Sequence, residues 1–369
     1  MKVKFGDCIR HVTRLLNHKV AGSYMLSSRV NIDATKPIYG AYGKWLYVWE
    51  DFMVILGIVV KDSLTRVGQD IFAKMLNSTL QVPYKSIILV SDSRDSTDDF
   101  VKTWAEEHDK EVTVTKSNLY GYHRPTRATA RQTAIDIFLN NFNDEWIMFV
   151  DDDVVLNDGW WQWVIDNKVL ENPRVGEIWG LNYDTTPERE YLLKLLGINL
   201  KEYLIKKFEA RGGTHDTLYR RKAIEGISIP PELHVYEDAY LHFYVKCRGW
   251  ESVVNPVGII HYHPVNVREE KERMKIAIQV AVKYGIIEYD VMKLINQGFE
   301  KRIMSYLSLL RPVLGFPLTL LVAIRCYGLK KGFIETIKRQ YLKLWSRWQV
   351  LRNLKNARIP NICEAIGRK

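Results

Sequence analysis

Three adjacent carboxylates, Asp151-Asp152-Asp153, repel one another and need a cation or hydrogen-bond donors to coexist. They follow the apolar run Trp146–Val150, which places them at the end of a buried strand. In an extended segment residues i and i+2 point the same way, so Asp151 and Asp153 can converge on one hard divalent ion. Mg2+ and Mn2+ favour carboxylate oxygen and fill their shell with waters and substrate phosphates. Such an ion neutralises a departing diphosphate. His261, in His261-Tyr262-His263, ends another apolar run and can complete the metal shell or bind a phosphate; the two histidines read equally as surface or packing residues. Asp92, after the run Ser86–Val90, can accept hydrogen bonds from a ribose or a base edge, or cap the next helix. Glu237-Asp238 opens a helical stretch, where an anion is stabilised and can take a proton from an acceptor hydroxyl. Arg131, on the helix before the triplet, can reach a diphosphate or sit as a surface charge. Gly212-Gly213 lets a backbone approach a ligand closely, or simply turns the chain.

The elements that must hold these residues alternate. The sequence predicts strands over Phe52–Val60, Ser86–Val90, Val112–Thr115 and Trp146–Val150, with helices over Arg66–Gln81, Thr97–Asp109 and Thr126–Phe142 between them. This alternation implies an α/β fold with a mostly parallel sheet and helices on both faces, and ligands outside the C-terminal strand ends. Lys61-Asp62, Asp92 and Asp151–Asp153 all fall there. After Asp153 the spacing predicts a helix over Gly159–Val169, a strand over Glu177–Leu181, an amphipathic helix over 187–208, a strand over Val253–Ile260 and charged helix over 268–300.

Charge is unevenly spread over the 369 residues. Residues 301–369 hold 15 Lys/Arg against two acids, residues 1–50 are also basic, and residues 51–300 are mildly acidic. A basic footprint at the ends rather than on the folded body argues against a nucleic-acid partner and for an anionic surface. Cys8, Cys247, Cys326 and Cys363 form no CxxC pair, so free thiols in a reducing, cytoplasmic compartment are expected. Met1–Phe5 opens no secretory-type apolar run.

Taken in order, the motifs resemble family 2 glycosyltransferases, which use the GT-A nucleotide-sugar-binding fold, over about residues 52–264. The matching pieces are Ile55–Asp62, the Asp92 segment, Ala130-Arg131-Gln132, Phe149–Asp153 as a DxD motif, Gly212-Gly213, Tyr236-Glu237-Asp238 with Arg248-Gly249-Trp250, and Pro256 followed by His261. The resemblance implies an inverting, metal-dependent sugar transfer from a nucleotide-sugar donor to a glycan or lipid-linked acceptor. It assigns Asp62, Asp92, Arg131, Asp151 and Asp152 to the donor, and Asp151, Asp153 and His261 to Mg2+ or Mn2+. It assigns Asp238 as base with Glu237 in support, and Gly212, Gly213 and His263 to the acceptor side. Gln132 departs from the usual Asn, and the lack of a QxxRW segment argues against a processive synthase. The rival readings are a nucleotidyltransferase, which lacks its Gly-rich loop here, and a non-catalytic scaffold, which would have lost Asp153 and Asp238.

Outside this body lie a basic extension (1–51), a helical connector (265–302) and a tail (303–369). In the tail, Ile303–Ile324 carries only Arg311 as a charge, and Pro312, Gly315 and Pro317 are expected to break it. Phe333, Ile337, Tyr341, Leu344, Trp348 and Leu351 then recur on one helical face beside Lys338, Arg339, Lys343, Arg347 and Arg352. That pattern predicts a helix lying in the plane of an anionic membrane, the alternatives being a membrane span over 303–324 and packing of both segments on the catalytic domain or a second subunit.

Overall fold

The computed structural model describes residues 53–183, 191, 193–195, 197–209, 212–262, 267–287, 313, 315–354 and 357–367. His263, the basic extension and most of residues 288–314 lie outside the described residues.

The first strand, β1 (Val54–Val60), is buried on both faces, as a continuous run of branched apolar residues requires in the middle of a sheet. Gly57 is the exception to its bulk, because a Cβ there would meet the Phe149 ring at 2.7 Å. A two-part helix follows, α1 (Ser63–Arg66) and α2 (Gln69–Thr79). The sequence suggested one helix; Gly68, at φ 96°, breaks it. Next come β2 (Tyr84–Ser91), α3 (Thr97–Glu107), β3 (Glu111–Thr115), α4 (Arg127–Asn141) and β4 (Trp146–Asp151). Thr126 caps α4 through a capping box with Thr129, which fixes the helix start.

The second half adds β5 (Val154–Leu156), α5 (Trp160–Asp166), β6 (Val175–Asn182), α6 (Leu200–Glu209), β7 (Asp216–Arg220), α7 (Arg221–Ile224), α8 (Glu237–Cys247) and β8 (Glu251–His261). The eight strands form one sheet in the order β3-β2-β1-β4-β7-β6-β8-β5. Pairs β1–β2, β1–β4, β2–β3 and β6–β8 are parallel, whereas β4–β7, β6–β7 and β5–β8 are antiparallel. The sheet is therefore parallel from β3 to β4 and mixed beyond β4. Periodicity gave no sign of β5 or β7.

Two apolar layers cover the sheet. One gathers Phe72, Met75, Trp104 and Trp160 from α2, α3 and α5. The other gathers Ala130, Ile135, Tyr240 and Val245 from α4 and α8. That second layer extends past residue 264, because α9 (Val267–Tyr284) contributes Ala277, Val280 and Tyr284 to it. Beyond α9 stand α10 (Phe316–Tyr327), α11 (Leu329–Leu354) and α12 (Ile362–Gly367). Pro317 lies in the first turn of α10, so it starts the helix instead of breaking it.

The cysteine expectation is corrected here. Cys247, at the end of α8, and Cys363, in α12, form a disulfide. They are 116 residues apart, and no local spacing announces such a pairing. Cys326 takes no part in this disulfide. The argument for a reducing compartment rested on unpaired thiols and loses that ground. Among the described residues, no helix is long and apolar enough to cross a membrane.

Candidate active site

The predicted acids gather where the C-terminal ends of β1, β2 and β4 meet the end of β8. At β1, Asp62 adopts φ 52°, a left-handed turn that non-glycine residues other than Asn and Asp seldom adopt. Its carboxylate accepts the Arg94 N–H at 2.6 Å, and its own N–H donates to Ser93 Oγ at 2.8 Å. At β2, Asp92 accepts from Ser117 Oγ at 2.5 Å and from the Ser117 N–H at 3.3 Å. Both carboxylates thus brace the loops that rim the parallel half of the sheet.

At β4 the three aspartates part company. Asp152 is buried and accepts from Ser63 Oγ and the Arg66 guanidinium. Burial raises its pKa, and the Arg66 charge and the two hydrogen bonds offset part of that rise. Its carboxylate is thus taken up by the α1 turn. Asp151 pairs with Arg131 at 3.1 Å. Asp153 meets His261 Nε2 at 3.1 Å, because β5 and β8 pair Val154 with His261. The Asn182 amide lies 3.2 Å from His261 Nδ1 and orients the ring. Among the described residues no three His, Cys, Asp or Glu side chains form a ready-made metal cage. The expected trio of Asp151, Asp153 and His261 is a pair, with Asp151 drawn to arginine.

Arg131 is buried, stacks over the Phe149 ring, and lies 3.6 Å from Glu237 as well as against Asp151. One terminal nitrogen of its guanidinium faces both carboxylates, while its buried Nε has no hydrogen-bond partner among the described residues. Arg127, one turn earlier on α4, is exposed and faces the same acids. Desolvation alone would lower its pKa, but Glu237, Asp151, Asp152 and Asp238 together raise it. Arg124, Arg127 and Lys61 also act on His234, whose pKa falls through burial first and these three cations second. A cationic rim therefore faces the carboxylates.

Glu237-Asp238 opens α8 directly after Tyr236, a buried non-glycine residue at φ 81°. Strain of this kind persists only where surrounding structure enforces it. Glu237 is buried, and desolvation, then the Asp238 charge, pushes its pKa up to about 7. Asp238 is half-buried and its Oδ1 accepts the Ala239 N–H at 2.8 Å.

Residues 65–227 match the family model described as glycosyl transferase family 2. The match takes in the sheet from β2 to β7. The helix-flanked α/β sheet agrees with the GT-A-type fold expected from the sequence. Several solved structures are similar to this chain. TarS 1–349 of S. aureus shares 14% identity over 82% of this chain and 91% of that one, with a TM-score of 0.45. The mannosyltransferase PcManGT from Pyrobaculum calidifontis, in complex with GDP-Man and Mn2+, shares 17% over 81% and 86%, at 0.46. Glucosyl-3-phosphoglycerate synthase from Mycobacterium tuberculosis, in complex with Mn2+, UDP and phosphoglyceric acid, shares 11% over 64% and 81%, at 0.42. No curated protein matches the chain.

Two histidines of the site escaped the sequence reading. His215 precedes β7, and its carbonyl receives the Asp151 N–H at 3.0 Å. Its Nδ1 lies 2.5 Å from Asp216, which is fully buried and also accepts the Trp160 indole N–H at 2.8 Å. Gly180 makes room for that carboxylate: a Cβ there would overlap Asp216 Oδ2. Burial lowers the His215 pKa, but Asp216, then Asp151 and Asp238, raise it overall. Its ring centre is 6.4 Å from that of His261, so it borders the same cleft. His242, one turn along α8 from Asp238, pairs with Glu177 at 2.6 Å, both fully buried, and Glu177 also accepts from Tyr219 at 3.1 Å. Gly212, at φ 75°, has no Cβ to collide with His242, and a Cβ on Gly213 would lie 3.2 Å from His215 Nε2. The glycine pair is thus the seat on which both rings rest.

Proposed function

We propose that this protein transfers a sugar, of the hexosyl class, from a nucleoside diphosphate sugar to an acceptor hydroxyl with inversion at the anomeric carbon. The observation that supports this best is that His215 borders both parts of the site: its ring lies 6.4 Å from that of His261, the partner of Asp153, and it feels the charge of Asp238 at the start of α8. The pair suits Mg2+ or Mn2+: it offers one carboxylate oxygen and one imidazole nitrogen and leaves the remaining positions to water and substrate phosphates. The Asn182 amide nitrogen holds the ring through Nδ1, so His261 Nε2 and the Asp153 carboxylate are the atoms that would hold the ion. When bound, the ion supplies positive charge to the departing diphosphate.

This chain's own groups do the rest. Asp62 and Asp92 border the nucleoside, and Arg127, Arg124 and Lys61 face the phosphates in the role that Arg131 was expected to fill. Asp238 takes the proton of the acceptor hydroxyl as its oxygen bonds the anomeric carbon and the phosphate oxygen leaves. Glu237, its pKa pushed up to about 7 by burial and by Asp238, is partly protonated near neutral pH, which eases the repulsion between the two acids. His215, held in one tautomer by Asp216, offers Nε2 to a substrate hydroxyl. Gly212 and Gly213 lie on the acceptor side. The acceptor is a glycan or a lipid-linked hydroxyl reached by a peripheral enzyme at an anionic membrane face.

The test is nucleoside diphosphate release from a panel of UDP-, GDP- and dTDP-sugars. Release is expected with Mn2+ or Mg2+ and not with EDTA, and Asp153→Ala should abolish it while the fold survives by circular dichroism. Full turnover in excess chelator would remove the metal from the mechanism. Retention at the anomeric carbon, read by NMR, would contradict a single displacement.

A further inference from the structure

The C-terminal hairpin is amphipathic in the inverted sense. Helices α10 and α11 fold back on each other through Gly328, at φ 81°. Gly332 lets them touch: a Cβ there would stand 2.6 Å from the Ile324 amide nitrogen. The positions of α11 buried against α10 are small or polar, Gly332, Thr336 and Gln340, with Gln340 Nε2 3.5 Å from Thr319 Oγ1. Further along, Val350 and Leu354 close on Ala281 of α9. The large apolar residues point the other way. Phe333, Ile337, Tyr341 and Trp348, four to seven residues apart, are 44–53% exposed, and Leu321 on α10 is 67% exposed. A helix that packs only on its own protein buries its leucines and aromatics and leaves glutamine outside. Here the small and polar side faces the protein, and a ridge of aromatic and aliphatic groups is left in water.

Charge identifies what covers the ridge. Exposed Lys330, Lys331, Lys338 and Arg352 lie along it, and residues 301–369 hold 15 Lys/Arg against two acids. A second copy would bring an equally cationic face and be repelled. An anionic lipid surface would be attracted by the same charges while its interface received the aromatic ridge. We propose that the α10–α11 hairpin is a monotopic docking surface for anionic bilayers, seated through Leu321, Phe333, Ile337, Tyr341 and Trp348. It rests on the glycosyltransferase reading only for its biological use, since it would bring the cleft to a lipid-linked acceptor.

The experiment uses the full chain with phosphatidylcholine vesicles, with and without phosphatidylglycerol, at low and high salt. The protein should sediment with the anionic vesicles only. The triple variant Phe333→Ser/Ile337→Ser/Trp348→Ser should lose more than about tenfold of its vesicle partition, since each residue removes a large apolar group. Lys331→Glu/Lys338→Glu should lose the salt-sensitive part. Neither variant touches the cleft, so donor turnover without vesicles should match the parent. Equal sedimentation of parent and triple variant would overturn the proposal. So would a parent dimer, seen by light scattering, that the triple variant dissociates with vesicle binding unchanged, since the ridge would then belong to a second copy. Vesicle binding without donor turnover would leave the surface standing and overturn the catalytic reading instead.

Discussion

Asp238→Asn keeps the shape of the side chain and removes its basicity. Transfer should fall by about 10²–10⁴-fold, the usual scale for a general base, with donor binding by calorimetry nearly unchanged. Glu237 carries a separate, pH-dependent signature. Its pKa is raised to about 7 in the folded protein by burial and by Asp238, against 4.5 for the free side chain. Between those values the folded state binds a proton that the unfolded chain has released, so stability falls as pH rises through that window. Glu237→Gln should flatten the fall: urea midpoints at pH 5 and pH 8 should differ less in the variant than in the parent. An unchanged difference would mean that Glu237 is ionised throughout. At this scale Asp62, Asp92 and Asp151–Asp153 could be placed together because each follows an apolar strand, and a strand end is a place in space as well as in sequence. His215 and Asp216 were not, since what makes them a unit is Trp160 and the gap at Gly180, both distant along the chain.

Among the elements, β7 shows why periodicity failed beyond β4. Its residues Asp216–Arg220 are buried on both faces yet mostly polar, so no alternation marks them. The polarity is matched by long-range partners: Asp216 by the Trp160 indole, Thr217 by the Gly213 carbonyl, Tyr219 by Glu177, and Arg220 by carbonyls of Leu170, Asn172 and Val175. The helix α4, by contrast, was read to within a residue at each end, because its start is written locally in Thr126 and Thr129. The dependence of β7 on its neighbours gives a prediction. Gly180→Ala puts a methyl group into the space of the Asp216 carboxylate and within 2.7 Å of the Trp160 indole nitrogen. Overpacking of this kind costs about 1–3 kcal/mol, to be seen as a lower denaturant midpoint. Because His215 depends on Asp216, turnover should fall further than the lost stability explains. A variant as stable and active as the parent would show that the carboxylate has room to move.

Across the whole molecule, the C-terminal segments are built into the catalytic body. Helix α9 joins the apolar layer behind α4 and α8, and Lys283 and Tyr284 on it bind Glu232 in the loop that leads to α8. Helix α12 adds Ile366 to the same layer and the Cys363–Cys247 bond to α8. Removing that bond with Cys247→Ser should cost about 2–5 kcal/mol, the range for native disulfides, read as a lower unfolding midpoint in the absence of reductant. In the presence of reductant parent and variant should converge. Composition placed the positive charge of this region correctly but could not say where the chain end returns, since the contact links residues 116 apart.

The same bond makes the stretch from Cys247 to Cys363 a covalent ring that contains β8, α9 and the whole hairpin. A protease that cuts once anywhere inside this ring severs the polypeptide without releasing either piece. Nicked protein should therefore run as one band on a denaturing gel until a thiol is added, and as two bands afterwards. The clipped molecule would keep its C-terminal hairpin leashed to the helix that begins with Glu237 and Asp238, so a surface nick in this region would leave a protein cut in sequence but undivided in space.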